Sequence, residues 1–448
     1  MLSYQVALGF SGWNRCVLPV VQGMPLLKRP AATSPTLSLQ GPLHVYPGSE
    51  CGVCKKKLYT KFLDTPVQCT IVGSEVVEKA YLLRKECKEP FCVKTYRANF
   101  AYVDSVKVNT MSFRQMQDMK VYMVTHGFGF TMKYLQMFYY RLLRGNLAPG
   151  QESSVRAMVD GPLHDDLIGP RWFRHHLLRA LEGYAIAQRS PDEVVPFPVD
   201  DPSSFFAPTS APMTFDPPNS VCVLSFDGHF GVHRNLNPKW GEAPRTVRCR
   251  GRPRKKYTQE QRTCTCANKA KQRVTMKNRT AGWQFVIDPA SRRVLAAKEH
   301  LVNECLPDKV EVVRAAMKMK KVNANAIIHD DACHFEAHVH RHQSLKKHFK
   351  NIKHFIVDEF HRGNHKCKKC KLTRSEANRF KDVRTNMSEV FNAWIRRKNF
   401  ILNGLRPCSH KFWVEESILF WNANLREMPM TSIRRTNVAT RKRPAAAL

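Results

Sequence analysis

Acidic residues are in short supply. The chain carries 37 Asp and Glu against 72 Lys and Arg, a formal net charge of +35, and so uneven a balance attracts polyanions at long range. Nucleic acid is the first partner to consider. Long apolar runs are missing too. None approaches the ~18 residues needed to cross a bilayer, and the N-terminal stretch is interrupted by Gly, Trp and Pro without a basic start, unlike a secretory signal. These absences predict a soluble intracellular protein with no membrane partner. No repeat of solenoid length occurs. Cysteine is plentiful, but its count of 15 is odd, and without a signal segment metal thiolates are favoured over a disulfide framework.

Apolar residues make up 43% of the 448, enough to fill the cores of two or three domains. Residues 1–45, rich in Pro, Ser, Thr and Leu, read as a flexible leader. A compact cysteine-bearing block is expected over 46–150. A partly helical connector over 151–219 ends in the proline-rich linker SPDEVVPFPVDDPSSFFAPTSAPMTFDPP (190–218). The main block spans 220–425 with a basic insertion at 236–280, and a basic tail occupies 426–448.

Within the main block the order of elements is readable. VCVLSF (221–226) suits a buried strand, and DGHFGVHR turns out of it. GWQFVID (282–288) and RRVLAAKEHL (292–301) read as strands around the turn-prone DPAS. A helix over 309–320 precedes the strand AIIHDD (326–331), a His-rich helix over 336–347 precedes the strand HFIVDEF (354–360), and an amphipathic helix covers 387–402. Three meandering strands followed by two reached through helices is the order of a ribonuclease H-like α/β sheet.

Acids stand at chosen places in this order. Asp227 closes the first strand, Asp330 and Asp331 close the fourth, and Glu389 lies near the start of the last helix. Neighbouring parallel strands bring their carboxyl ends together. Converging carboxylates are hard ligands for Mg²⁺ or Mn²⁺, which catalyse in-line phosphoryl displacement. The plainer alternative is that Asp227 opens an Asp-Gly turn and Glu389 caps a helix behind Asn386 or Ser388.

FDGHFGVHR (226–234), HDDACH (329–334), DEFHRGNHKCKKC (358–370) and NMSEVFNAW (386–394) resemble the core of the Kyakuja, Dileera and Zisupton transposases. These are eukaryotic cut-and-paste enzymes with a ribonuclease H-like catalytic domain. The resemblance covers roughly 220–425. It implies Asp227, Asp330 and Glu389 as the acidic triad, Asp330 being preferred to Asp331 because it stands three before Cys333. It also implies DNA as substrate, Mg²⁺ or Mn²⁺ as cofactor, and homo-oligomers on DNA ends. His229 stands where the family usually has Asn, and the Gly of the third motif is shifted. The rival expectation is a domesticated DNA-binding zinc protein that kept the fold without the reaction.

ECGVCKKKL (50–58) and KECKEPFC (85–92) resemble the cysteine-cluster domain that accompanies those enzymes. Spacing alone points the same way: Cys51 and Cys54 with Cys87 and Cys92 form two thiolate pairs suited to structural Zn²⁺. Four more candidate zinc ligands, His361, His365, Cys367 and Cys370, follow the fifth strand. Alternatively these histidines touch DNA phosphates or the scissile site, and the Lys-Cys-Lys-Lys-Cys run is a solvated loop. Cys333, His334, His338, His340 and His342 are further possible ligands, and Cys249, Cys264, Cys266 and Cys305 a possible third cluster.

Arg250, Gly251, Arg252, Pro253, Arg254 and Lys255 resemble an AT-hook, whose narrow Gly-Arg-Pro core fits an A·T minor groove. The alternative is a basic loop on phosphates. KRPAA occurs at Lys28–Ala32 and Lys442–Ala446, and basic clusters of this type suit import to the nucleus.

Overall fold

The computed structural model describes residues 42–60, 66–75, 77–90, 92, 95–103, 105–145, 147–159, 170–205, 211–217, 219–229, 231–236, 246–247, 273–274, 278–301, 305–358, 361, 365, 380 and 383–429. Among them no helix is long and apolar enough to cross a membrane. The architecture is mixed α/β, with curled mixed sheets and a cysteine cluster.

The N-terminal sheet is organised by one long strand. Strands β1 (Leu43–Val45), β2 (Leu58–Thr60), β3 (Val67–Val72), β4 (Val77–Cys87), β5 (Thr95–Arg97), β6 (Phe100–Val103) and β7 (Val106–Asn109) come first. Helix α1 (Phe113–Met119), strands β8 (Val121–Met123) and β9 (Phe128–Thr131), and helices α2 (Met132–Gly145), α3 (Pro149–Val159) and α4 (Pro170–Arg189) follow. β4 takes β3 and β1 along its first part and β2 and β5 along its last. Only β1 runs parallel to β4; β2, β3 and β5 are antiparallel to it. A capping box starts α1: the Gln115 amide donates to the Ser112 hydroxyl, and the Ser112 amide donates to the Gln115 side chain. The end of the expected leader is structured, since Leu43–Val45 pairs in parallel with Tyr81–Leu83.

The second large sheet contains β10 (Met213–Thr214), β11 (Val221–His229), β14 (Gly282–Ile287), β15 (Val294–His300), β16 (Val322–His329) and β17 (His354–Val357), in the spatial order β10-β15-β14-β11-β16-β17. A separate two-stranded ladder pairs β12 (Thr246–Val247) with β13 (Arg273–Val274). β11, β14 and β15 are antiparallel neighbours, whereas β16 runs parallel to β11 and β17 parallel to β16. The crossovers are α5 (Leu306–Met317), then α6 (Ala332–Arg341) with α7 (Gln343–His348). Helices α8 (Met387–Arg396), α9 (Asn399–Leu402) and α10 (Pro407–Ala423) follow.

Strand alternation sorts β11 between two cores. Leu224 and Phe226 point into a core with Val310, Val313 and Phe335 of α5 and α6. Ser225 and Asp227 therefore face the opposite side, where Ser388 and Asn392 of α8 hydrogen-bond to them. The Asp-Gly pair, expected to turn, stays in the strand: Asp227 pairs with Phe285 and Gly228 with Gln284. Phe285 and Trp283 are buried in the core shared with α8 and α10, and that packing overrides a two-residue turn preference.

Other boundaries move for identifiable reasons. α5 starts earlier than expected because Pro307 occupies its first turn. The His-rich helix breaks at His342, which has extended backbone. The last amphipathic helix divides before α9, where buried Lys398 donates to the Leu143 carbonyl of α2 and lies over the Trp394 ring.

That lysine is one of several ties between the two sheets. A single apolar cluster runs from Phe130, Phe138 and Leu143 to Trp283, Phe391, Trp413 and Trp421. Tyr139 donates to Glu416 of α10 at 2.7 Å, and Arg189 of α4 donates to the same carboxylate. The expected linker belongs to this assembly. Phe197 and Val199 are fully buried, the Asn109 amide donates to the Phe197 carbonyl, Pro202–Phe205 forms a 3-10 turn, and β10 pairs with β15. Apolar residues between the prolines thus fasten the segment onto both parts, and the boundary expected at 151–219 is not a free tether.

Glu182 of α4 is 2% exposed. Burial pushes its carboxyl up to about 7, against weaker opposing effects that include Ser409, Trp413 and Arg179. Between the ordinary carboxylate range and that value the folded state binds more protons than the unfolded chain, so stability falls as pH rises through this window. Glu182→Gln should flatten this limb. Urea midpoints for both proteins at pH 5 and pH 8 check it: the variant should gain at pH 8 relative to wild type.

Candidate functional site

Parallel register brings two acids together. Ser225 pairs with Ile328, and two residues further along each strand stand Asp227 and Asp330. Ligand atoms of Asp227, His329 and Asp330 all lie within 4.8 Å of one another. The third acid expected from the sequence is carried by α8, whose first two turns are docked on β11 by two bonds. Ser225 and Ser388 hydroxyls are 2.7 Å apart, and Asn392 Nδ2 donates to Asp227 Oδ2 at 2.9 Å. Glu389 lies between these contacts in the sequence, half-buried. Its charge acts on His361 together with those of Asp330 and Asp358.

Asp330 is held as an anion. Burial opposes ionisation, but His329, Lys309 and the Asp331 amide outweigh it and hold the carboxyl well below the usual range. His329 Nε2 is 2.7 Å from Asp330 Oδ1, and its Nδ1 donates to the Phe226 carbonyl at 2.9 Å. Lys309 Nζ is 2.7 Å from His329 Nε2 and 4.0 Å from Asp330 Oδ1. Lys309 and His329 are 4% and 1% exposed. The Asp331 amide, His329 and Lys309 all approach Asp330 at Oδ1.

Asp331 turns elsewhere. It heads α6, and its oxygen lies 3.5 Å from His334 Nδ1. The His334 contact lowers Asp331. Asp331 and Cys333 in turn push His334 up to about 10.

The two histidines after β17 have different neighbours. His361 Nδ1 lies 3.9 Å from Asp358, and the Asp358 carboxylate, with Asp330 and Glu389 adding, pushes it up to about 9 against burial. His365 Nδ1 lies 3.7 Å from Cys333 Sγ. His361 thus sits among the acids, while His365 meets a thiol. Cys367 and Cys370 lie outside the described residues, as do Cys249, Cys264, Cys266 and the whole segment Arg250–Lys255. Cys305 is described, and its thiol donates to Asp308.

The second candidate centre is the cysteine cluster. Cys51 and Cys54 flank a tight turn before β2, Cys87 ends β4, and Cys92 stands before β5. All four sulfurs lie within 4.8 Å of one another. Cys51 and Cys92 Sγ are 3.5 Å apart, and Cys54 and Cys87 Sγ 3.3 Å. These spacings exceed a disulfide bond of about 2.05 Å and approach the sulfur separation around a tetrahedral ion with Zn–S of about 2.3 Å. The residues fit a metal such as zinc. Burial disfavours the Cys51 thiolate, yet the Cys54 amide, the Tyr96 hydroxyl and the Val53 amide pull its thiol down to about 6. Tyr96 Oη lies 3.2 Å from Cys51 Sγ and accepts from the Gly52 amide.

Lys309, His329, Asn392 and Tyr96 are site residues that sequence reasoning left without a role. Asn392 had a signal, standing three after Glu389 and so on the same helix face. The others are set by tertiary packing. Asn392→Ala should weaken divalent-metal binding at the acids by roughly 10–100-fold, the usual effect of losing an outer-shell partner. Isothermal titration with Mn²⁺ would read it, with an unchanged melting curve expected because Ser388 still docks the helix.

No protein-family model, no curated protein and no solved structure matches the chain.

Proposed function

We propose that this chain is a DNA transposase, or a close derivative of one, whose ribonuclease H-like domain cleaves and joins DNA strands with Mg²⁺ or Mn²⁺ held by Asp227, Asp330 and Glu389. The observation that carries the reading is the meeting of Asp227 and Asp330 at the carboxyl ends of adjacent parallel strands, with the Glu389 helix docked beside them. The strand order and directions support the ribonuclease H-like assignment. Divalent ions bound there would supply Lewis-acid stabilisation of the phosphate and lower the pKa of an attacking water or 3′-hydroxyl. The protein's part is to hold the oxygens. His329 and Lys309 fix Asp330 Oδ1, and Asn392 fixes Asp227 Oδ2. The cysteine cluster would hold structural zinc, and the KRPAA segments would direct the chain to the nucleus.

The test is incubation of labelled duplexes with the full chain and Mg²⁺ or Mn²⁺, scoring strand breaks and joined products. Absence of both on all duplexes and with both ions overturns the enzymatic reading.

A second reading has its own observation. Lys309 places a buried cation 4.0 Å from Asp330, where it already neutralises part of the charge that a metal would meet. A DNA-binding zinc protein without catalysis could use the same acids as structural anions. It predicts DNA binding without Mn²⁺ uptake at the acids, whereas the first reading predicts both.

For either reading, duplex affinity should fall with salt at a log–log slope of roughly −0.9 per phosphate contacted. Arg252→Ala should weaken A·T-rich duplex more than G·C-rich duplex if its side chain reads minor-groove width. Titrations of both duplexes at several salt concentrations separate these effects, and equal losses would make Arg250–Lys255 a phosphate patch.

A further inference from the structure

A cleft of about 1030 Å³, which none of Asp227, Asp330 and Glu389 lines, lies between the start of α3, one face of α4 and the chain joining α9 to α10. Four arginines line it: Arg171, Arg174 and Arg179 on α4, and Arg406 ahead of α10. Arg171, Arg174 and Arg406 are exposed. Arg171 and Arg174, three apart on α4, are neighbours on the helix surface. The opposing charge is small. Asp201 reaches Arg406 only at 3.9 Å, and Glu182 is the other lining acid.

Two lining aromatics stand in the open. Phe400 is 50% exposed and Trp172 36%. Trp172 is already a platform: its ring stacks on His176 at 3.6 Å and meets Phe128 edge-on, so it is fixed while part of its surface remains exposed. Rings held in this way present a flat face on which an unpaired base can stack.

We infer that this cleft is a second nucleic-acid site, which takes a single-stranded segment with its phosphates on the arginines and an unstacked base against Trp172 or Phe400. Arginines with exposed aromatics are the combination that binds single strands, because an unpaired base has a free π-face while duplex bases are already stacked. The volume accommodates a nucleotide with its flanking phosphates. The inference rests on the preceding reading only for the choice of DNA as the strand. Strand cleavage next to the acids creates unpaired ends, and a separate cleft could hold one.

Fluorescence anisotropy with labelled single-stranded DNA, single-stranded RNA and blunt duplex of one sequence tests it in the full chain. Arg171→Glu with Arg174→Glu should cost single-stranded DNA at least about tenfold in affinity, and Phe400→Ala about five- to tenfold. Neither should change duplex affinity by a comparable factor. Phe400 is the preferred aromatic variant because Trp172 also packs on Phe128. Photocrosslinking of 5-iododeoxyuridine to a peptide containing Trp172 or Phe400 should accompany binding. Equal losses on duplex and single strand, or no loss with the variants, overturn the inference and leave a generic basic surface. Preference for RNA over DNA keeps the cleft but counts against DNA as the strand. Loss of strand cleavage in Asp227→Asn with single-strand binding intact separates the fate of this cleft from that of the acids.

Discussion

Asp227→Asn, Asp330→Asn and Glu389→Gln should each lower Mg²⁺- or Mn²⁺-dependent strand cleavage on the order of 10²–10³-fold or more, with duplex affinity nearly unchanged. Each acid is positioned by a neighbour whose own packing survives the substitution. Asp227 lies under Asn392, Asp330 beside His329 and Lys309, and Glu389 on a turn docked through Ser388. An amide in place of a carboxylate keeps the shape and removes the charge that draws the cation. The control is Asp331→Asn. Asp331 points to His334, so its loss should leave cleavage within a few-fold of wild type. Single-turnover cleavage of an end-labelled duplex reads all four variants. An active Asp227→Asn protein would remove Asp227 from the site, and an inactive Asp331→Asn protein would reverse the choice within HDDACH.

How much of this was legible depends on what each element is decided by. Short apolar runs bounded by turn residues located five strands of the second sheet, because a strand buried on both faces needs little beyond Val, Ile, Leu and Phe. The meander and crossovers then followed from connection lengths. Element ends were less legible. Asp227 and Gly228 read as a turn, yet Phe285 and Gln284 keep them paired. The 387–402 helix reads as continuous, yet Lys398 leaves it to reach Leu143, a contact 255 positions away in sequence. The proline-rich segment reads as a tether because proline lacks a donor and favours extended chain. Phe197 and Val199, lying between the prolines, are what bury it.

The candidate site divides in the same way. Acids at strand ends and cysteines at zinc spacing are visible because the chemistry demands those residue types. The groups that tune them are not. Lys309 enters from α5, and nothing in KVEVV marks it as buried beside Asp330. His361 and His365 read as one cluster because they are four apart. The fold sends one toward Asp358 and the other toward Cys333.

The largest stability effect is expected at the cysteine cluster. Purified protein should carry at least one zinc per chain there, and Cys54→Ser should abolish that zinc and unfold the N-terminal sheet. The magnitude decides the outcome. Structural zinc contributes roughly 10–16 kcal/mol of apparent binding free energy near neutral pH, whereas a domain's net stability is only about 5–15 kcal/mol. The cluster fastens the turn before β2 to the end of β4, the strand that pairs with β1, β2, β3 and β5. Because one apolar cluster joins that sheet to Trp413 and Trp421, the loss should spread to the second sheet and abolish the cooperative melting transition seen in wild type. Acid should act in the same direction. Thiolates are the ligands, so zinc affinity falls as pH falls. Burial, with the neighbouring cysteines, pushes Cys92 up to about 12, so without the ion it stays a thiol at neutral pH and the four sulfurs cannot all be thiolates. Zinc content by plasma emission, followed from pH 8 to pH 5 in wild type and Cys54→Ser, reads both effects. Full zinc content in the variant, or a melting temperature indifferent to a chelator, would remove the metal from this cluster.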